Sequence, residues 1–348
     1  MTPLIEFDFA KGFPLQDVAL QDVAKLIGGK VAGMDRPVQY LALLKGGRGA
    51  TKNRLSYVES PAYWKVFCAS DTESAIVSQA VLANQSLPAD KSVIVVADNP
   101  ALAFFEAHER LYQNDRYPRL RGDRGAACVI HPRAFVDDGV VLGERVRIDA
   151  NVTIYPNTVI GDDTWLKAGC VIGGPGFERK RLFGRLRTVT HVGGVALGPF
   201  VEIGSSSVVD CHLIGRFTSV GANTRVDNLV HVAHGAVIGE ECSIVAGSEI
   251  SGSVILGNGV WLGPHTCSNH EVTIGDHAFA GTGSVITGDV PSHALVYGNP
   301  AKVRGWVCAC RTKLADGGNL SRVTCTKCGT RYERTESGGI RFEKATAA

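Results

Sequence analysis

Along the middle of the chain an aliphatic side chain returns at every sixth position. The run begins at Ile130 and passes through Val136, Leu142, Ile148, Ile154, Ile160, Leu166 and Ile172. A second run takes in Ile214, Val220, Val226, Val232, Ile238, Ile244, Ile250, Leu256 and Leu262. It skips Ser268 and closes on Ile274, Ala280 and Ile286. A helix repeats every 3.6 residues and a half-buried strand every two, so neither accounts for a period of six. A coil does: six residues form one short parallel strand and a corner, and three such units close a triangular turn. Glycines follow many of the aliphatic positions, as at Gly143, Gly161, Gly239 and Gly257, and suit tight corners. The aliphatic side chains point inward and stack from turn to turn, burying a column that no single repeat could bury.

Residues 1–112 lack this period and read as a small α/β domain. Ala19 to Ile27 is predicted helical and stops at Gly28-Gly29, and Ala101 to Tyr112 is a second helix behind Asn99-Pro100. The β-branched run Ser92 to Ala97 is a buried strand. Lys45 to Lys52 is similar to a phosphate loop but fails its spacing, and reads as a surface loop. Tyr57 and Tyr63 bracket Pro61. They are either two half-buried core residues or two aromatic faces that hold a flat ring between them.

Residues 113–127 are polar and read as a linker, with the coil spanning 128–304. The period breaks at Gly173 to Phe177, ahead of a segment carrying Arg179, Lys180, Arg181, Arg185 and Arg187. A projecting loop of this kind either holds the phosphates of a nucleotide or a pantetheine carrier, or is a solvated basic face. The period restarts at Leu197, Ile203 and Val209 and slips by one residue to Ile214, which makes Asp210-Cys211-His212 an irregular corner.

Composition narrows the class. A chain of 348 residues has room for two or three domains, and its net charge of +2 gives no reason to expect nucleic acid or an anionic membrane as partner. No apolar run approaches the roughly 18–20 residues of a transmembrane segment, and the start of the chain does not read as a signal peptide. A cytoplasmic protein is expected. Cys68, Cys128, Cys170, Cys211, Cys242 and Cys267 are scattered singly and are expected to be buried small hydrophobes rather than disulfides.

The candidate chemistry lies in Asp227 to Gly235 and one and two turns beyond it. Eighteen residues make one turn, so His234, Gly252 and His270 stand above one another, each two places after an inward position. With strands about 4.8 Å apart, the two imidazoles lie about 10 Å from each other with a residue lacking a side chain between them. That gap admits a thioester and an amine, with the Gly252 N–H facing an oxyanion. His234 suits proton abstraction near neutral pH, and Asp227 is placed to orient and stabilise the protonated ring. His231, His265 and His277 lack this arrangement and read as structural. The γ-class carbonic anhydrases carry zinc on a coil of this kind through three histidines, but here His234 and His270 are too widely spaced to share an ion within one subunit.

Beyond the coil, Cys308-x-Cys310 and Cys325-x-x-Cys328 form two close pairs. Four thiolates so paired suit a tetrahedral structural zinc with no open position for water. In a small tail with few apolar residues, the metal supplies the folding energy.

With these residues in view, the chain resembles the UDP-3-O-acylglucosamine N-acyltransferases of lipid A biosynthesis over residues 15 to about 290. The resemblance rests on the N-terminal domain, the Gly174 to Phe177 interruption, Asp227-Asn228…Ala233-His234 and Asn269-His270. It implies a homotrimer of left-handed β-helices with active sites between subunits. It further implies His234 as general base, Asp227 as its support, Gly252 as the oxyanion amide, His270 as a second histidine, and Tyr57 and Tyr63 flanking a uracil. Asp210-Cys211-His212 is shorter than the family's corner loop, and the cysteine tail replaces the helices that grip acyl carrier protein. Tyr297 to Lys302 followed by Gly305 to Cys308 is more similar to acetyl-CoA-dependent N-acetyltransferases of nucleotide-linked amino sugars, so the donor is acyl carrier protein or coenzyme A.

The expectation is therefore an enzyme, an N-acyltransferase that moves a 3-hydroxyacyl group to a nucleotide-linked amino sugar. Its fold is a mainly β, left-handed parallel β-helix (128–304) with an α/β base-binding domain (1–112) and a zinc-ribbon-like tail (305–348). Two alternatives stand beside it: short-chain acyl-CoA transfer to a dTDP- or UDP-deoxyamino sugar, and a non-catalytic trimeric scaffold whose zinc tail binds a partner.

Overall fold

The computed structural model describes residues 13–44, 53–315, 322–334 and 340–342. The segment Lys45 to Lys52, read above as a surface loop, lies outside the described residues. The chain divides into two compact units. Of the described residues, one unit holds those within 13–119, 175–194 and 212–217, and the other those within 120–174, 195–211 and 218–342.

The first unit is an α/β layer. Its sheet runs in the order β1 (Lys30–Ala32), β5 (Ser92–Val96), β4 (Ser74–Ser78), β3 (Arg54–Val58) and β2 (Tyr40–Leu41), with β1 antiparallel and the rest parallel. The expected helices are α1 (Leu20–Ile27), closed by Gly28 in the left-handed region, and α4 (Pro100–Gln113), capped by the Asn99 side chain accepting from Leu102 N–H. Two further helices, α2 (Pro61–Ala69) and α3 (Gln79–Leu82), are capped by Ser60 and Ser78. Leu55, Ile76 and Ile94 pack on one face of the sheet with Phe104 and Phe105 of α4, and Val58, Ala75, Val77 and Val93 pack on the other with Trp64 and Phe67 of α2.

The segment that breaks the six-residue period is a β-hairpin, Arg179–Leu182 paired with Arg185–Thr188. It folds back on α4. Phe183 N–H donates to Glu106, Thr190 N–H and hydroxyl donate to Glu109, and the buried His108 contacts the Thr190 carbonyl at 2.7 Å. Leu182, Val189 and Val192 join the apolar core of this unit. Ile214 corrects the sequence reading: it belongs to that core and not to the coil register, and the next inward coil position is Val220. Its spacing from Val209 nearly matched the repeat, but an apolar residue buries in whichever core its backbone reaches, and here the residues 212–217 leave the coil.

The second unit is a left-handed parallel β-helix with three sheets as its walls. Partners stand one turn apart in the expected register: Ile148 with Leu166, Ile238 with Leu256, Val232 with Ile250 and Leu256 with Ile274. The inward aliphatic positions form one continuous column, fully buried at Ile154, Ile172, Ile250 and Leu262. Ser268, where the pattern skips, also points inward, and its hydroxyl accepts from Ser251 N–H at 3.2 Å. The ladder begins at Asp123–Arg124, paired with Val141 and Leu142, inside the stretch read as linker. Ladder pairing is a backbone property, so polar residues take part without a hydrophobic signal. Of the six scattered cysteines, Cys170, Cys211 and Cys242 are buried as expected. Cys68, Cys128 and Cys267 are half-buried, Cys267 because it points outward from its strand.

The hairpin Ala294–Gly298 and Ala301–Trp306 extends one wall beyond Phe279–Ala280 and leads into the cysteine tail. No helix of the described residues is long and apolar enough to cross a membrane.

Candidate active site

Successive rungs of one wall carry His231, Glu249, Cys267 and Val285 in direct register. At the corner after these strands the backbone ladder continues. Ser253 N–H donates to the His234 carbonyl at 3.0 Å, and Glu271 N–H donates to the Gly252 carbonyl at 3.0 Å. Gly235, Ser253 and Glu271 all adopt left-handed φ values of 74°, 59° and 59°, so one corner conformation repeats in three turns. His234, Gly252 and His270 therefore occupy equivalent places one turn apart, as the 18-residue spacing predicts.

The His234 imidazole lies directly against Gly252. A Cβ built on Gly252 would stand 3.1 Å from both Cε1 and Nε2 of His234. That glycine leaves room for the ring. Among the described residues, the Gly252 N–H has no hydrogen-bond acceptor, which leaves it available to an oxygen on the ligand. His234 is half-buried and His270 exposed. The corner thus combines an imidazole, a free amide donor and a second imidazole on an accessible edge. This set can take a proton from a nucleophile and steady an oxyanion.

Asp227 stands at the preceding corner of the coil. Its carboxylate accepts from the N–H groups of Asn228 at 2.8 Å and Ala246 at 3.2 Å, tying one turn to the next. The wall between these two corners holds an arrangement that the sequence reading passed over. His231 Nε2 donates to Asp210 at 2.9 Å, and its Nδ1 donates to Glu249 at 2.8 Å. The hydrogen bonds to Asp210 and Glu249 push this imidazole up to about 10, so it is a fixed cation at neutral pH. Half of the signal was readable, because Glu249 lies one 18-residue turn beyond His231. Asp210 was not, because the departure of residues 212–217 shifts its spacing. His265 and His277 lie over Gly247 and Gly259 and fill corners.

In the first unit, Tyr57 is the penultimate residue of β3 and Tyr63 lies in the first turn of α2. Both are therefore at the carboxyl end of the parallel strands, the edge where open α/β sheets receive ligands. Tyr57 rests on Phe104 and Phe105 at 5.2 and 6.5 Å, while Tyr63 borders the cluster on the other face of the sheet. Of the five hairpin cations, Lys180 pairs with Glu178 and lies over Phe105, and Arg187 lies over Phe183. Arg179, Arg181 and Arg185 are exposed.

Cys308, Cys310, Cys325 and Cys328 converge so that their sulfur atoms all lie within 4.8 Å of one another. The Thr312 and Thr330 hydroxyls stand 3.3 and 3.1 Å from the sulfurs of Cys310 and Cys328 and, as the main cause, hold those thiols below the usual range, Cys310 at about 6. Four sulfurs so grouped, two of them readily ionised, fit a soft tetrahedral cation.

Residues 217–252 match the family described as bacterial transferase hexapeptide (six repeats). The chain is 30% identical over 304 residues to the UDP-3-O-acylglucosamine N-acyltransferase of Campylobacter lari, a match covering 80% of this chain and 91% of that one. It is 29% identical over 240 residues to the protein of the same name from Helicobacter pylori, covering 62% and 69%. Among solved structures, a UDP-N-acetylglucosamine acyltransferase from Bacteroides fragilis is similar at 22% identity and a TM-score of 0.48, covering 53% of this chain and 71% of that one.

Proposed function

The chain belongs to the UDP-3-O-acylglucosamine N-acyltransferases, and from that premise we propose that its reaction takes place at the corner formed by His234, Gly252 and His270. It is an acyltransferase that moves an acyl group from a thioester to the amine of a nucleotide-linked amino sugar in lipid A synthesis. The observation that carries the assignment of the site is the His234 ring lying against Gly252, whose amide has no other acceptor among the described residues.

The steps follow from these groups. The sugar amine attacks the thioester carbonyl carbon and His234 takes a proton from the nitrogen. The carbonyl oxygen gains negative charge and is met by the Gly252 N–H. Collapse re-forms the carbonyl, breaks the C–S bond and leaves the amide. The proton on His234 passes to the departing thiolate, which leaves as a thiol. His270, two turns from His234, binds the substrate at the far side of the gap. Tyr57 and Tyr63 hold the nucleotide base between them, a use supported by their place at the ligand-receiving edge of the sheet.

The reading includes a homotrimer working in the cytoplasm. Asp227, read from the resemblance as the support of the base, stands at a different corner of the chain from His234 and ties one turn to the next. The donor is a 3-hydroxyacyl thioester of acyl carrier protein or coenzyme A. The four cysteines hold zinc as a structural ion, with all four positions filled by sulfur and none left for chemistry.

The test is thiol release. Purified protein is given UDP-3-O-acylglucosamine with acetyl, 3-hydroxybutyryl and long-chain 3-hydroxyacyl thioesters of each carrier. Stoichiometric thiol and amide from a 3-hydroxyacyl donor support the proposal, and no thiol from any donor leaves the scaffold reading standing instead.

A further inference from the structure

Among the described residues, the two halves of the cysteine tail, residues 306–314 and 322–334, meet around a small core. Their core consists of Cys308, Leu314, Cys325 and Tyr332, with Trp306, Cys310 and Val323 at its margin. Among the described residues, contacts around the sulfurs join the halves: Cys308 to Cys328 at 3.4 Å, Cys310 to Cys325 at 3.6 Å, and the Tyr332 hydroxyl to Cys308 at 3.1 Å and from Ala309 N–H at 3.0 Å. A core this small does not offset the entropy of ordering its own backbone, so the sulfur cluster decides whether the tail folds.

The same cluster is fastened to the β-helix at two places. Arg311 follows Cys310 in a left-handed conformation, with φ of 65°. Its guanidinium lies 4.5 Å over the Trp261 ring and donates to the Ser243 hydroxyl at 3.3 Å. Trp261 is itself stacked on Phe279, 5.8 Å away and 5° from parallel, so the arginine grips an outward column one turn deep. On the other side the fully buried Tyr332 meets the His293 ring edge-on at 4.9 Å, and His293 stacks on His277 at 4.9 Å. His293 is also tied to the strand that leads into the tail: Val307 N–H donates to the His293 carbonyl at 2.8 Å, and His293 Nδ1 lies 3.0 Å from the Val307 carbonyl. A continuous line of contacts thus runs from Cys308 through Tyr332 and His293 to the last turns of the coil.

We infer that the four-cysteine site is a metal-dependent clasp. A soft divalent cation, with zinc the fitting ion, closes the tail and thereby holds Arg311 on Trp261 and Tyr332 on His293, so that metal occupancy governs the order of the last turns of the β-helix. Four thiolates around a divalent ion leave an excess of two negative charges. The Thr312 and Thr330 hydroxyls and the adjacent Arg311 cation offset that excess. Arg311 is in this account a positioning residue: it touches the coil and not the ion. The inference stands whether or not His234 is the catalytic base.

The experiment uses the full chain, stripped of metal under reducing conditions and titrated with zinc alone, and reads amide hydrogen exchange. One zinc per chain is expected to bind. Exchange between about Ile255 and Val307 is expected to slow at least about tenfold on loading, while the turns around Ile148 to Leu166 stay unchanged. Arg311→Ala is expected to bind the same single zinc yet leave exchange around Trp261 and Phe279 at the stripped level. Failure to bind zinc overturns the proposal, and so does binding that leaves exchange of the last turns unaltered. If Arg311→Ala does not fold, the stripped and loaded wild-type chains decide between these outcomes.

Discussion

The His234 imidazole rests on the bare Cα of Gly252, with Cε1 and Nε2 each 3.1 Å from where a methyl group would stand. In the proposed reaction one coil turn would supply the base, and the next both the space around it and an amide with no acceptor among the described residues. Two departures from the regular corner would make that site: a histidine at one level and the absence of a side chain at the next.

Gly252→Ala follows directly from this contact. Gly252 is not in the left-handed region, so its backbone accepts alanine, but the ring must give by a few tenths of an ångström. A misplacement of about 1 Å costs about 100-fold in rate, so a smaller shift costs less. We expect kcat lower by up to about 10-fold, with the melting temperature and the KM for the nucleotide sugar little changed. Steady-state kinetics with thermal unfolding checks this.

His231 makes a prediction about pH. Its bonds to Asp210 and Glu249 raise its pKa from the ordinary 6.5 to about 10, so the folded state favours the protonated ring. That contribution to stability is present in full below about pH 6.5 and is lost as pH rises through 10. The melting temperature of wild type should therefore exceed that of His231→Gln most at pH 6, and the gap should close towards pH 10.5. Parallel melting curves across that range would remove the ion triad from the account.

The tyrosines separate binding from packing. Base–aromatic stacking is worth about 1–3 kcal/mol, so Tyr63→Ala should raise the KM for the nucleotide sugar roughly 10-fold or more while kcat holds. Tyr57→Ala should do the same and also lower stability by about 1–3 kcal/mol, because Tyr57 rests on Phe104 and Phe105. Urea unfolding beside the kinetics distinguishes the two effects. Unchanged KM in both variants would move the base elsewhere.

The coil was legible because its geometry is periodic. Inward positions such as Ile148, Ile238 and Ile250 recur at a fixed interval, and any pair 18 residues apart can be placed from numbering alone, as His234 and Gly252 were. Where the chain leaves the coil, that arithmetic fails. Ile214 sat one residue from a repeat position and was misassigned, and Asp210 could not be linked to His231 because the insertion between them is not a multiple of the period. The small α/β unit was half legible: α1 and α4 announce themselves by caps and spacing, whereas β3 and β4 are short and buried on both faces and carry no alternation. The cysteine spacing pointed to a metal knuckle, but nothing in it foretold that Arg311 would lie on Trp261, since that contact joins segments with no shared period.

The central claim is that His234 is the base for amide formation. The measurement that tests it most directly is the turnover of His234→Ala with UDP-3-O-acylglucosamine and a 3-hydroxyacyl thioester, taken with circular dichroism and the elution volume of the same preparation. Loss of a general base costs about 10²- to 10⁴-fold. The account requires a fall in kcat of that size in a protein whose fold and assembly are unchanged, and a kcat within about threefold of wild type would contradict it.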